Sequence, residues 1–173
     1  MRRFIITITA VVFSIGATFA QKYIVVDSEK IFRSIAEYNS AITTLDGMAK
    51  EYQQKVDKAY AEVESMYNAY ISQKQSLSVA SQQAKEQEIL DKERKVAEYQ
   101  QSVFGNDGLI MKKRIELIQP IQKLVFSTIE EYAKAKGYDM VIDISQNATM
   151  LYYSPKADHT EAIIAELKKK ENK

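Results

Sequence analysis

The 173-residue chain has one histidine and no cysteine, so the places where side chains could do chemistry are few. His159 stands next to Asp158 and two positions before Glu161. An imidazole and two carboxylates could imitate a metal cluster. The same residues describe a helix start better: Asp158 as N-cap and Glu161 at the third position form a capping box, followed by the apolar Ala162, Ile163, Ile164 and Leu167. Asp139 and Asp143 share one strand face only if the register is even, and solvated strand ends account for both. Ser28 and Ser154 have no neighbouring histidine to act as a base. Gly105 and Gly108 do not follow a strand, so they are no phosphate loop. The expectation is a protein that is not an enzyme, with no catalytic residue, no metal and no cofactor.

The dominant pattern is instead a hydrophobic seam. Ile35, Tyr38, Ile42, Leu45, Ala49, Tyr52, Val56, Ala59, Val63, Met66 and Tyr70 recur at alternating steps of three and four. This seven-residue period predicts a coiled-coil helix, which needs a partner to be stable in water. The partner row is Ile89, Val96, Val103, Ile110, Leu117 and Leu124. Its second row is polar toward the tip (Lys92/Glu93, Tyr99/Gln100, Asn106/Asp107, Lys113/Arg114). It becomes apolar near the base, with Ile118, Ile121, Val125, Ile129 and Tyr132.

The order along the chain follows. Residues 1–20 read as a secretory signal peptide: Arg2 and Arg3, an apolar run from Phe4 to Phe19, and cleavage after Ala20. Tyr23 to Asp27 reads as a strand. A first helix is expected from about Glu29 to Gln75, bent near Glu37 to Asn39. Its tip lies at about 76–81, with Ser78 as N-cap of the returning helix. That helix should run from Val79 to Lys136, weakened at Gly105 to Gly108, kinked at Pro120 and ended by Gly137. Asp139 to Ser145 and Ala148 to Ser154 read as a β-hairpin, so three strands are expected in all, then a short helix after Asp158.

The expected fold is therefore α+β and mostly α: a long antiparallel coiled-coil hairpin (36–116) projecting from a small β-rich body (21–35 and 117–173). Three short strands bury too little to be stable alone, so association of several bodies is expected. The residues expected to build the oligomer are Ile24, Val26, Val141, Ile142, Ile144, Leu151, Leu117, Ile121 and Leu124.

Charge narrows the partners. The 24 basic and 23 acidic residues nearly balance. Loss of Arg2 and Arg3 with the leader leaves a net charge of about −1, which argues against a nucleic-acid binder. Any membrane contact would be transient.

The seam's flank changes along its length. Asn39, Asp46 and Gln53 give way to Tyr60 and Tyr67, with Ile71 beyond. Tyr60, Val63, Met66, Tyr67, Tyr70 and Ile71 are the candidate residues for contact with something outside the hairpin, since tyrosine and methionine suit transient apolar contact. The alternative is that they complete the hairpin core, which fits Val63, Met66 and Tyr70 best.

The mature chain also resembles the Skp (OmpH-like) family of periplasmic chaperones. The matching stretches are Tyr23-Ile24-Val25-Val26-Asp27-Ser28-Glu29 with Ala36-Glu37-Tyr38, Phe104-Gly105, and Glu116-Leu117-Ile118-Gln119-Pro120-Ile121. The longest is Ala135-Lys136-Gly137-Tyr138-Asp139-Met140-Val141-Ile142-Asp143, followed by Leu151-Tyr152 and the Asp158 helix. The resemblance implies a periplasmic homotrimer whose β-rich body carries three helical arms, and an ATP-independent holdase for unfolded outer-membrane proteins. The family's best-known members are strongly basic and this chain is not, so no lipopolysaccharide site is carried over. The rival expectation is a structural coiled-coil adaptor or spacer in the cell envelope.

Overall fold

A computed structural model describes residues 22–146 and 149–171. The leader read from residues 1–20 lies outside them. The described chain runs β1 (Tyr23–Val26), α1 (Ser28–Arg33), α2 (Ala36–Gln73), a 3-10 turn, α3 (Val79–Phe104), α4 (Leu109–Lys136), β2 (Met140–Asp143), a second 3-10 turn and α5 (Thr160–Glu171). It divides into two compact units. One is Phe32–Phe126; the other joins the residues up to Ile31 with those from Ser127 onward.

In the second of these units β1 and β2 pair in parallel, with Tyr23 opposite Met140 and Val26 opposite Asp143. A parallel pair needs a long crossover, and here it is everything between α1 and the end of α4. Ile24, Val25 and Val26 are all buried, as a strand covered on both faces should be. On the other edge of β1, the His159 N–H donates to the Val25 carbonyl at 3.0 Å. Ile31, Ile163, Ile164 and Leu167 are buried with them. Thr160, itself buried, accepts the Asp27 N–H on its hydroxyl at 2.9 Å.

Three expectations for this unit change. First, the second arm of the β-hairpin is not a strand among the described residues. Asp143 accepts from the Ser28 hydroxyl at 2.6 Å and from the Ser145 N–H at 3.0 Å, which turns the chain at the end of β2. Leu151 and Tyr152, 96% and 81% exposed, lie in no strand among the described residues. Second, the capping box does not form. α5 starts at Thr160, and Asp158 accepts the Thr160 N–H at 2.9 Å. Glu161 meets Lys30 at 2.7 Å, and the Asp158 N–H goes to the Pro155 carbonyl. Third, Asp139 and Asp143 are not merely solvated strand ends: Asp139 accepts the Lys22 N–H at 2.9 Å while Asp143 holds Ser28 and Ser145. Gly137 does end α4 as expected. Its φ is +68°, and the Tyr138 and Gly137 N–H groups donate to the Ala133 and Lys134 carbonyls, the Schellman arrangement.

In the unit Phe32–Phe126, α2 has 38 residues and spans about 57 Å at the standard helical rise. Lys92 meets Glu62 at 3.0 Å, the Tyr60 hydroxyl donates to Gln100 at 3.2 Å, and the Tyr70 hydroxyl donates to Glu86. Partner numbers thus fall along α3 as they rise along α2. Val63, Tyr70, Ile89 and Val96 form one core cluster, with Ala59, Met66 and Leu77 against it. Ala41, Leu45 and Ile118 form another, with Tyr38, Ile42 and Leu117 against it.

The helices are interrupted where the backbone finds other partners. The expected bend near Glu37 to Asn39 lies earlier, at Ser34 and Ile35. The Asn39 amide repairs it by donating to the Arg33 and Ile35 carbonyls at 2.8 and 3.1 Å. At the tip, Ser78 caps α3 by accepting the Ser81 N–H at 3.2 Å. The single returning helix is in fact two, because Gly105 to Gly108 breaks it fully. A Cβ on Gly108 would sit 2.4 Å from the Val103 carbonyl oxygen, so only glycine allows this approach. α4 continues through Pro120.

Two outcomes are expected from this arrangement. Gly137→Ala should destabilise the protein by about 1 kcal/mol, the cost of a Cβ in left-handed backbone, measured by denaturant unfolding. Burial works against the charged form of Asp143, but the hydrogen bonds from the Ser28 hydroxyl and from Ser145 outweigh it and hold the carboxyl below its usual range. A depressed carboxylate stabilises the fold above its unfolded pKa and stops doing so as pH falls through its folded pKa. Stability measured against pH should therefore decline below about pH 4, and Asp143→Asn should flatten that decline while lowering stability at neutral pH.

Candidate functional site

The candidate surface is the flank of the α2–α3 pair near its tip, and helix geometry selects it. Residues 60, 64, 67 and 71 step by four, three and four, as do 86, 90, 93 and 97, so each set occupies one face of its helix. The seam residues beside them are used up by packing: Val63 and Tyr70 are buried and Met66 is half-buried against the same cluster. Of the six residues expected to contact clients, these three lie in the core of the pair. Tyr60, Tyr67 and Ile71 remain exposed, Tyr67 at 52% and Ile71 at 48%.

The returning helix adds a residue that the pattern did not single out. Leu90 is 57% exposed and shares a groove of about 370 Å³ with Tyr67, Ile71, Ile89 and Tyr70, rimmed by Lys74, Glu86 and Glu93. Its signal was present in the sequence. It directly follows the seam residue Ile89, so it falls on the flank of the seam and not in its centre. At the tip Val79 is exposed too.

One end of the groove is fixed by a three-residue polar network. The Tyr70 hydroxyl donates to Glu86, and Lys74 donates to Glu86 at 3.2 Å while lying 5.2 Å from the Tyr70 ring centre. The hydrogen bonds from Tyr70 and then from Lys74 hold the Glu86 carboxyl below its usual range. Tyr70 and then Glu86 in turn raise the Lys74 pKa above its usual value. The network keeps a buried tyrosine's polar tip satisfied and orients the groove wall. It contains no nucleophile beside a base.

The other chemical candidates have structural partners. His159 lies between two tyrosines, its Nδ1 2.8 Å from the Tyr132 hydroxyl and its Nε2 3.3 Å from that of Tyr138. Among the described residues no three histidine or acidic side chains are grouped to hold a metal ion. Ser28 is bonded to Asp143, and Ser154 accepts the Lys156 N–H at 3.4 Å. No described helix is long and apolar enough to cross a membrane.

The residues expected to build an oligomer fall into three groups. Ile24 and Val26 are buried within their own unit. Val141, Ile142, Ile144, Leu117, Ile121 and Leu124 are half-buried, and Leu151 is almost fully exposed.

With this geometry in place, comparison with known proteins is direct. The family model described as "Outer membrane protein (OmpH-like)" matches residues 22–167. That is most of the chain and takes in both compact units. The protein belongs to the OmpH-like family, which is known for periplasmic chaperones of outer-membrane proteins. No curated protein matches the chain.

Packing and flank should separate under mutation. Ile89→Ala should cost about 2 kcal/mol or more in stability, whereas Tyr67→Ser should change it by no more than about 0.5 kcal/mol. Denaturant unfolding followed by helical circular dichroism checks both.

Proposed function

We propose that the protein is an ATP-independent holdase of the periplasm. It binds unfolded outer-membrane proteins and keeps them from aggregating before insertion, and it works as a homotrimer of antiparallel coiled-coil arms. The observation that carries the reading is the exposed apolar flank: Tyr67, Ile71 and Leu90 around a groove, with Tyr60 on the same helix face. Exposed apolar groups set among polar ones mark a surface made for contact. Family membership supports the same reading. The bare Leu151 and Tyr152 in a β-rich run support the trimer, because a neighbouring copy offers what one chain lacks.

A holdase needs no single deep pocket. Many weak contacts withdraw unfolded chains from aggregation by mass action. Val63, Met66 and Tyr70 act as the packed backing that holds the exposed row in place, and tyrosine exposes apolar area while its hydroxyl stays hydrated.

The test is suppression of aggregation of a denatured outer-membrane β-barrel, with light scattering as readout and the mass of the complex measured alongside. Wild-type protein at stoichiometric trimer should suppress scattering. The combined variant Tyr60→Ser, Tyr67→Ser, Ile71→Ser and Leu90→Ser should lose most of that effect while keeping its helical signal. A wild-type protein without suppression would leave the envelope adaptor as the better reading.

A further inference from the structure

The exposed flank is acidic as well as apolar. The α2 row is Tyr60, Glu64, Tyr67 and Ile71; the α3 row is Glu86, Leu90, Glu93, Ala97 and Gln100. The Tyr60–Gln100 hydrogen bond at 3.2 Å and the Tyr70–Glu86 bond tie the two helices together along this flank. Glu86 is neutralised by Lys74 at 3.2 Å. Glu64 and Glu93 have no ion-pair partner among the described residues. Lys92, the cation next in sequence to Glu93, is turned to Glu62 at 3.0 Å instead. Lys74 and Lys92 are thus committed to Glu86 and Glu62, which leaves Glu93 on the groove's rim and Glu64 one helical turn from Tyr67 without an ion pair among the described residues.

We propose that this groove selects unfolded segments that pair apolar or aromatic side chains with lysine or arginine. The inference rests on the holdase reading and deepens it by naming the client sequence the groove takes. An extended strand places alternate side chains on opposite sides, at about 3.3 Å per residue. Its apolar side chains reach Tyr67, Ile71 and Leu90, and cationic neighbours reach Glu64 and Glu93. The whole chain is close to neutral, so the preference is local rather than a result of bulk charge. Charges at the edge of a contact set which partner is accepted and how fast it arrives, and their effect fades with salt.

Two short synthetic peptides of the same length test this against the full protein. One alternates tyrosine and leucine with lysine, and its twin carries glutamate at the lysine positions. Fluorescence anisotropy at low salt should show the cationic peptide binding about three- to tenfold more tightly than the acidic one, the effect of one or two exposed ion pairs. Added salt should narrow the gap. Glu64→Gln with Glu93→Gln should close it while the acidic peptide's affinity stays or rises, and Leu90→Ser should weaken both peptides. Equal binding of the two peptides, tighter binding of the acidic twin, or a preference unchanged in the double variant would overturn the inference. So would variants that change the protein's oligomeric mass in place of peptide affinity, since the groove would then belong to a second copy. Protection of a denatured barrel by wild-type protein that shows no charge preference would remove this inference and leave the holdase reading standing. Absence of protection would remove the holdase reading itself.

Discussion

The burial of one narrow stripe between two long helices is the constraint on which the rest depends. Val63, Tyr70, Ile89 and Val96 are packed together, and neither helix would persist in water without the other. A seven-residue repeat buries one seam and no more. The flanks of α2 and α3 are therefore left free of structural duty, and whatever stands there answers to another requirement. Tyr60, Tyr67, Ile71 and Leu90 are exposed for this reason. Apolar residues on the flank cost the fold little, and they are the surface we propose for client contact.

Polar groups set the limits of each element. Asn39 serves the carbonyls freed at the break before α2, Ser78 caps α3, and Asp143 closes β2 while fixing the start of α1. Thr160 and His159 tie the start of α5 to β1. These contacts answer the demand that backbone groups find partners where regular structure stops. They also give the most suggestive chemical residues structural partners. Asp143, Asp158, Ser28 and His159 each already hold a neighbouring element in place.

Much of this could be read from the sequence because it depends on local spacing. The seam from Ile35 to Tyr70, the row from Ile89 to Leu124, the Ser78 cap and the Gly137 terminator each need only a few consecutive residues to recognise. The misreadings came where a long-range partner decided the outcome. The capping box failed because Lys30, far away in the chain, meets Glu161, and because α5 starts two residues after Asp158. The β-hairpin did not form among the described residues: β2 pairs with β1, and Leu151 and Tyr152 stand exposed after it. One difference was local: at the break from Gly105 to Gly108, Gly108 comes so close to the Val103 carbonyl that only glycine fits.

The candidate surface divides in the same way. Sequence alone determined that this is a paired-helix protein with tyrosines gathering on one flank toward the tip, since helical period fixes which residues share a face. Tertiary structure decided which of them are spent. Tyr70 and Val63 are covered, Tyr67 and Ile71 are not, and Leu90 joins them from the other helix. It also decided which carboxylates are free, by sending Lys92 to Glu62 and Lys74 to Glu86. The period of one helix cannot carry that information, because exposure and ion pairing depend on how two helices are aligned against each other.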